Sequence, residues 1–377
     1  MPNRADLTSP EDIRQARWQP AEVASPHLDR RIPVIAAKDI PYIPNANRLQ
    51  NVSIYLPRTS QSAPLIGTPV TFLPGSDSTA RHPRYLVHIH GGAWRDPRLT
   101  SASIEPTVAH AFSGGGLPGE APAPVTAIAS LNYTVSQIDY PAPAVMADPP
   151  VPYDAIKDNH TDLAREAVHP QHVSDVLHGL ALLGSLGLAD GSYILSGHSC
   201  GACLALQAVL QPPRHYGLGH LPDPPCPAAL LGLNGLYDLP ALATADGPSA
   251  SHAHLRDDYE MFLSRAFGTD KDTWPDASPA SFDPAAIALR IREGNTPRLV
   301  VLDHSAEDQL VPMNQQQRLT AGLAKVAGLR LTRGHRLTGN HAAPWKEGIM
   351  IYQSLLDTLQ LLSSGGTRNG IRERGSR

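Results

Sequence analysis

The sequence predicts an α/β protein built on a mostly parallel central sheet with helices on both faces. Three observations predict it. Short apolar runs rich in Val, Ile and Leu alternate with helical patterns along the chain, as crossover connections between parallel strands require. The 377 residues suffice for one large domain of this class. One run, from Tyr193 to His198, passes through Gly197-His198-Ser199-Cys200-Gly201 straight into an apolar helical pattern. A strand-to-helix turn that sharp needs glycine on both sides of its central residue.

Taken in order, residues 1–48 read as an N-terminal extension and 49–362 as the sheet domain. Strands are expected in "NVSIYLP", "RYLVHIH", "VTAIASLNY", "SYILSGH", "AALLGLNG" and "RLVVLDH". The 37 prolines concentrate in "LPGEAPAP", "YPAPAVMADPPVP" and "LPDPPCP", where they block regular structure and mark surface excursions. Pro/Gly-rich inserts are therefore expected at about 98–168. Val173, Val176, Leu177, Leu180 and Leu183 recur at helical spacing, closed by Gly187 and Gly191, and predict a helix leading into "SYILSGH". Further helices are expected from about Met313 to Val326 and from about Trp345 to Leu361. Residues 240–295 form a candidate small cap, and the Gly-, Ser- and Arg-rich tail, 363–377, is expected to be disordered.

Composition excludes several function classes. A net charge of -4 without a basic stripe argues against nucleic acid and anionic membrane as partners. The N-terminus has no apolar h-region, and no run approaches the roughly 20 apolar residues that span a bilayer. Three cysteines, Cys200, Cys203 and Cys226, are too few for a disulfide framework and fit a reducing compartment. A soluble cytoplasmic protein is expected. His88 and His90 alternate on one strand face with no third ligand nearby, so no metal is proposed.

The chemistry centres on Ser199. On a sharp strand-to-helix turn its hydroxyl stands at the top of the sheet, a nucleophile elbow. A serine hydroxyl needs a base, and the base needs an orienting carboxylate, in the order Ser, acid, His on this architecture. Asp308 follows the strand "RLVVLDH" in "SAEDQLVP", and His341 lies in the glycine-bearing loop "LTGNHAAPW" before the final helix. Asp303 and Glu307 compete for the acid and His335 for the base. Asp308 is preferred because it opens a loop into the next helix, whereas Asp303 still lies at the strand end.

The stretch "HGGAW", His90 to Trp94, is expected to supply an oxyanion site. Gly92 and Ala93 would donate backbone N–H groups, Gly91 would make room, and the N–H of Cys200 would complete the set. Only the backbone of Cys200 is needed on this reading, so its thiol is expected to be dispensable. Trp94 is expected beside the oxyanion loop as a wall against long acyl chains. The C-x-x-C formed by Cys200 and Cys203 reads as incidental, because the serine motif already explains the flanking glycines.

With these residues assembled, the chain resembles the kynurenine formamidase (arylformamidase) branch of the α/β-hydrolases, the fungal form in particular. "HGGAWRDP" is similar to that family's H-G-G-x-W motif, "GHSCGA" to its nucleophile elbow, "GLYDL" to the strand-end segment that follows, and "HPQHVSDV" to the helix before the elbow. The similarity covers about residues 49–362. It implies the α/β-hydrolase fold, a triad of Ser199, Asp308 and His341, no cofactor, and hydrolysis of N-formyl-L-kynurenine to L-kynurenine and formate. A homodimer is compatible with it. The chain departs from the compact family pattern in its N-terminal extension and in the inserts between Trp94 and Val173. A general carboxylesterase of the lipase-like group shares the glycine-rich oxyanion loop and is the alternative.

Overall fold

The computed structural model describes residues 15–76, 83–114, 123–138, 163–244 and 249–365. Strands β1 (Gln19–Val23), β2 (Ile32–Pro41), β3 (Asn51–Pro57), β4 (Tyr85–Ile89), β5 (Ala127–Leu131), β6 (Tyr193–His198), β7 (Ala229–Leu233), β8 (Leu299–Asp303) and β9 (Arg330–Arg333) form one sheet. Its order is β1-β2-β3-β5-β4-β6-β7-β8-β9. From β5 to β9 all pairings are parallel, and β1 to β3 pair antiparallel at one edge. The six strands expected from sequence are all present.

The central strands are apolar on both faces because both faces are covered. Tyr85, Val87 and Ile89 of β4 enter one core with Leu195 of β6, while Leu86 and Ile194 enter the other, as the two-residue repeat of a strand dictates. Helices α2 (Gln171–Ser185) and α3 (Cys200–Leu210) cover the first face through Val173, Val176, Leu180, Leu204 and Val209. Helix α1 (Glu105–Phe112) covers the second through Val108 and Phe112, together with Ile351 and Leu355 near the C-terminal end. Between β7 and β8 lie α4 (Leu239–Ala243), α5 (Arg256–Phe267) and α6 (Pro284–Glu293), within the segment read as a cap; α7 (Asn314–Leu323) follows β8.

Several elements differ from the sequence reading. The segment read as an N-terminal extension supplies β1 and β2, which extend the sheet beyond β3. The expected last helix is two: α8 (Ala343–Glu347) and α9 (Ile349–Gly365), separated at Gly348. Gly348 has φ 75°, and a Cβ there would overlap the Pro106 carbonyl, so the chain turns where α1 crosses it. The described part of the expected insert region holds α1 and β5. Residues 115–122 and 139–162, and the tail from 366, lie outside the described residues. Among the described residues no helix is long and apolar enough to cross a membrane.

The topology positions the site. The chain leaves β4 for β5 on one side and returns past β4 to β6 on the other, and ligands of open α/β sheets bind where strand order reverses in this way. Ile89 pairs with Gly197 across β4 and β6. The loops that follow these strands, His90–Trp94 and His198–Cys200, therefore emerge side by side.

Candidate active site

Ser199 sits between β6 and α3 with φ 57° and ψ -125°, a conformation that residues bearing a Cβ rarely adopt. Its neighbours make the turn possible. A Cβ on Gly197 would overlap the Gly201 carbonyl, and one on Gly201 would overlap the Ile89 carbonyl, so the elbow packs backbone against backbone. The Ser199 N–H donates to the Leu233 carbonyl at 2.9 Å, and the Ser199 carbonyl accepts from Ala202. The side chain makes no hydrogen bond to the helix it opens.

His341 Nδ1–H donates to Asp308 Oδ2 at 2.7 Å. That bond fixes the tautomer and leaves Nε2 for a reacting proton. Asp308 Oδ1 accepts from the N–H groups of Leu310 and Val311, each at 2.8 Å. Burial alone would raise the Asp308 pKa, but the charge on His341 and these hydrogen bonds outweigh it and hold the carboxyl below its ordinary value. The loop that carries Asp308 also grips the loop that carries His341 directly. Ser305 Oγ donates to the Gly339 carbonyl at 2.6 Å, Glu307 accepts from the Gly339 N–H, and Gln309 Oε1 accepts from the His341 N–H at 2.9 Å.

The competitors named from sequence have other tasks. Asp303 accepts from the Arg336 N–H at 3.0 Å, the Leu337 N–H at 3.3 Å and Ser354 Oγ at 2.8 Å, tying the segment before His341 to α9. Glu307 serves Gly339, and His335 is exposed. One partner was missed from sequence. His198 Nε2–H donates to the His341 carbonyl at 3.0 Å, its ring 4.7 Å from that of His341. Burial, then the charge on His341, push the His198 pKa well down, so it stays neutral. Its place just before the serine is the only signal the sequence offered.

In the neighbouring loop, Gly92, Ala93 and Trp94 have φ 113°, 50° and 57°. A Cβ on Gly91 would press on His198 Nδ1 and Ser199 Cβ. His90 Nδ1–H donates to the Gly91 carbonyl at 2.7 Å, and burial lowers the His90 pKa to about 4. Trp94 departs from its expected role. Its side chain is fully buried against Phe262 and Phe267 and does not line the cavity, because the left-handed turn at Ala93 and Trp94 sends the ring into the core.

The thiols of Cys200 and Cys203 are buried, and burial pushes Cys200 up to about 11 and Cys203 well above its ordinary value. Neither is a thiolate at neutral pH. His88 bonds Ser196 Oγ at 2.8 Å. Among the described residues no group of three His, Cys, Asp or Glu could hold a metal ion.

Ser199, His341, Gly92 and Ala93 line one cavity of about 530 Å³, within the range of small-molecule sites. Its walls combine Tyr259, Phe262 and Trp345 with Leu236, Leu255 and Leu310. Charged groups are Asp96, Arg98, Asp258 and Lys346. The Arg98 guanidinium donates to Asp96 at 2.8 and 2.7 Å, and the Arg98 N–H donates to it at 3.0 Å, whereas Lys346 lies 5.7 Å from the centre of the Trp345 ring. The arrangement is fit for acyl transfer: a hydroxyl, an oriented imidazole and backbone N–H groups face one apolar space with charged edges.

No family model matches the chain. A kynurenine formamidase-like hydrolase, fscH of Fusarium equiseti, is 31% identical over 315 residues, covering 82% of this chain and 89% of that protein. Kynurenine formamidase avaC of Aspergillus versicolor is 29% identical over 279 residues, covering 71% and 86%. Among solved structures, an inhibited esterase B from Lactobacillus rhamnosis superposes with a TM-score of 0.55 at 15% identity, covering 90% of this chain and 92% of that one. A truncated carbohydrate esterase from gut microbiota gives 0.52 at 14%, covering 88% and 96%. At such identities these two bear on the fold alone, which is that of the α/β-hydrolases. With a relative matched over nearly its whole length, and with H-G-G-x-W and the serine elbow side by side on this sheet, the chain belongs to the kynurenine formamidase family, hydrolases of an amide bond.

Proposed function

We propose that this chain is a serine hydrolase that cleaves N-formyl-L-kynurenine to L-kynurenine and formate. One observation carries the reading: a 2.7 Å His341–Asp308 hydrogen bond in the wall of the cavity onto which the Ser199 elbow opens. Ser199 Oγ attacks the formyl carbon while His341 Nε2 takes its proton. The N–H groups of Gly92, Ala93 and Cys200 receive the negative charge on the formyl oxygen. Collapse of the tetrahedral adduct breaks the C–N bond, and His341 returns the proton to the departing aryl amine. A water deprotonated by His341 then attacks the formyl ester and releases formate, restoring Ser199.

The cavity suits the substrate. Tyr259, Phe262 and Trp345 offer faces for an aryl ring, and Asp258 and Lys346 offer opposite charges for an ammonium and a carboxylate. An aryl amide is also within reach of an esterase-type triad, because its nitrogen leaves as a weakly basic amine. The test is a panel on purified protein: kcat/KM is expected to be highest for N-formyl-L-kynurenine, lower for formanilide and lower again for p-nitrophenyl butyrate. Ser199→Ala and His341→Ala should each abolish turnover, by a factor on the order of 10⁶ as in a well-studied triad. Efficient butyrate hydrolysis with negligible formylkynurenine turnover would make the chain a general carboxylesterase.

A further inference from the structure

The two halves of the oxyanion site lie more than a hundred residues apart in sequence, and a single buried hydroxyl stands between them. Tyr133, just beyond the end of β5, places its hydroxyl 3.2 Å from the His90 carbonyl, 3.2 Å from the Gly91 carbonyl and 3.3 Å from Cys200 Sγ. Its ring stacks on His90 at 4.5 Å. On the far side of the sulfur, the Trp94 N–H donates to Cys200 Sγ at 3.3 Å. All these groups are buried.

Counting protons orders the chain of bonds. The hydroxyl has one proton, shared between the His90 and Gly91 carbonyls, which can only accept. The contact between Tyr133 and Cys200 must then be made by the thiol proton, S–H donating to the tyrosine oxygen. The thiol keeps that proton, since burial pushes it up to about 11. The Trp94 N–H takes a sulfur lone pair. The run is therefore Trp94 N–H to Cys200 S–H to Tyr133 O–H to the carbonyls of His90 and Gly91.

We infer that the Cys200 thiol and the Tyr133 hydroxyl are positioning residues for the oxyanion site, bracing the loop after β4 against the serine elbow. The mechanism is peptide geometry. In a trans peptide the C=O and the following N–H point in opposite directions, so holding the Gly91 carbonyl on Tyr133 and His90 turns the Gly92 N–H away from them, and Gly92 lines the cavity. The Gly92 carbonyl accepts from Arg95 and Asp96 N–H, each at 2.9 Å, which fixes the Ala93 N–H in the same manner. Ala93 and Trp94 hold left-handed backbone, a conformation that persists only where surroundings over-determine it. Trp94 N–H on the thiol and the Trp94 carbonyl on the Ser136 N–H, at 2.7 Å, do so. The thiol thus has work that the sequence reading assigned to the backbone alone.

The inference rests on the serine-hydrolase reading, and its test separates the two. Tyr133→Phe keeps the ring on His90 and removes the hydroxyl; Cys200→Ala removes the sulfur. Each is expected to lower kcat about 10- to 100-fold, short of the ~10²–10³ seen when an oxyanion donor is deleted outright, with KM changed less than about twofold. Affinity for an aryl trifluoromethyl ketone, whose serine adduct carries an oxyanion, should fall by the same factor as kcat/KM. The double variant should lose no more than the worse single one, because both break one chain of bonds. Cys200→Ser changes a single atom, should recover part of the loss, and supplies the measurement if Cys200→Ala does not fold. Wild-type kcat in folded Tyr133→Phe and Cys200→Ser, or lowered kcat with unchanged ketone affinity, overturns the brace. If the wild type neither turns over formamides nor is trapped by the ketone, the serine-hydrolase reading has failed and the brace has no oxyanion to serve.

Discussion

Asp303 and Asp308 are both buried carboxylates on the same strand-to-helix connection, and what each holds decides what its loss should do. Asp308 faces the imidazole and carries the role of triad acid in the proposed mechanism; Asp303 holds two backbone N–H groups and a hydroxyl, none of them in the cavity lining. Asp308→Asn is expected to cut kcat by about 10⁴, as a wrong-tautomer substitution does elsewhere, with the melting temperature little changed. Asp303→Asn should do the opposite, costing about 1–3 kcal/mol of stability while the folded protein keeps its turnover. Thermal melts alongside steady-state rates check both, and an inverted pattern would make Asp303 the acid. At this scale Ser199, Asp308 and His341 were legible in the sequence as candidates, because fold topology fixes the order of such a set and glycines mark their turns. It could not reveal His198 on the His341 carbonyl or the Cys200 thiol under Trp94. The first joins β6 to the loop before α8, and the second exists only once β4 and β6 are neighbours.

At the scale of elements, α8 is five residues long and is turned by Gly348, yet it carries Trp345 and Lys346 to the cavity mouth, while α5 brings Asp258, Tyr259 and Phe262. Tyr259 Oη donates to the Leu310 carbonyl at 2.9 Å, and His252 Nε2–H donates to the Asp308 carbonyl at 2.8 Å, so the segment that holds α5 is anchored to the loop that carries Asp308. Lys346→Met and Asp258→Asn are expected to raise KM for N-formyl-L-kynurenine roughly three- to tenfold, the span of a charged hydrogen bond at a half-exposed site. Formanilide, which has no amino-acid end, should show no change. Equal effects on both substrates would remove these residues from recognition of the charged end. Tyr259, Phe262, Leu263, Ala266 and Phe267 recur at helical spacing on α5, but the contacts with the Asp308 loop join segments some fifty residues apart, which no local pattern announces. The missed strands have a related cause. β1 and β9 are edge strands with mostly exposed or half-exposed residues, the polar make-up by which edges avoid further pairing. β2 carries a register shift between Ala37 and Ile40, which breaks the two-residue alternation that would have announced it.

Across the whole molecule, the mostly parallel sheet buries histidines as well as aliphatic side chains, and this gives the fold a predictable response to acid. Burial lowers the pKa of His88 to about 3, His90 to about 4, His169 to about 4 and His172 to about 3. In the unfolded chain each titrates near 6.5. The unfolded state therefore binds more protons than the native state as pH falls below about 6.5, and stability falls with it; above that value the contribution is complete, and it is lost as pH approaches the native values. Asp308, also lowered by folding, adds a loss of the same sign only below the ordinary carboxylate range. Each histidine contributes a slope of about 1.4 kcal/mol per pH unit between pH 6 and 4. Several acting together should unfold the protein well before its surface carboxylates are neutralised. Urea midpoints at constant ionic strength are expected to be level from pH 8 to 7 and to drop steeply from pH 6 to 5, with His172→Gln flattening the slope by about one proton's worth. A midpoint that stays level to pH 5 would mean that these imidazoles are protonated inside the fold, and the burial of His88 on β4 and of His172 on α2 would have to be given up.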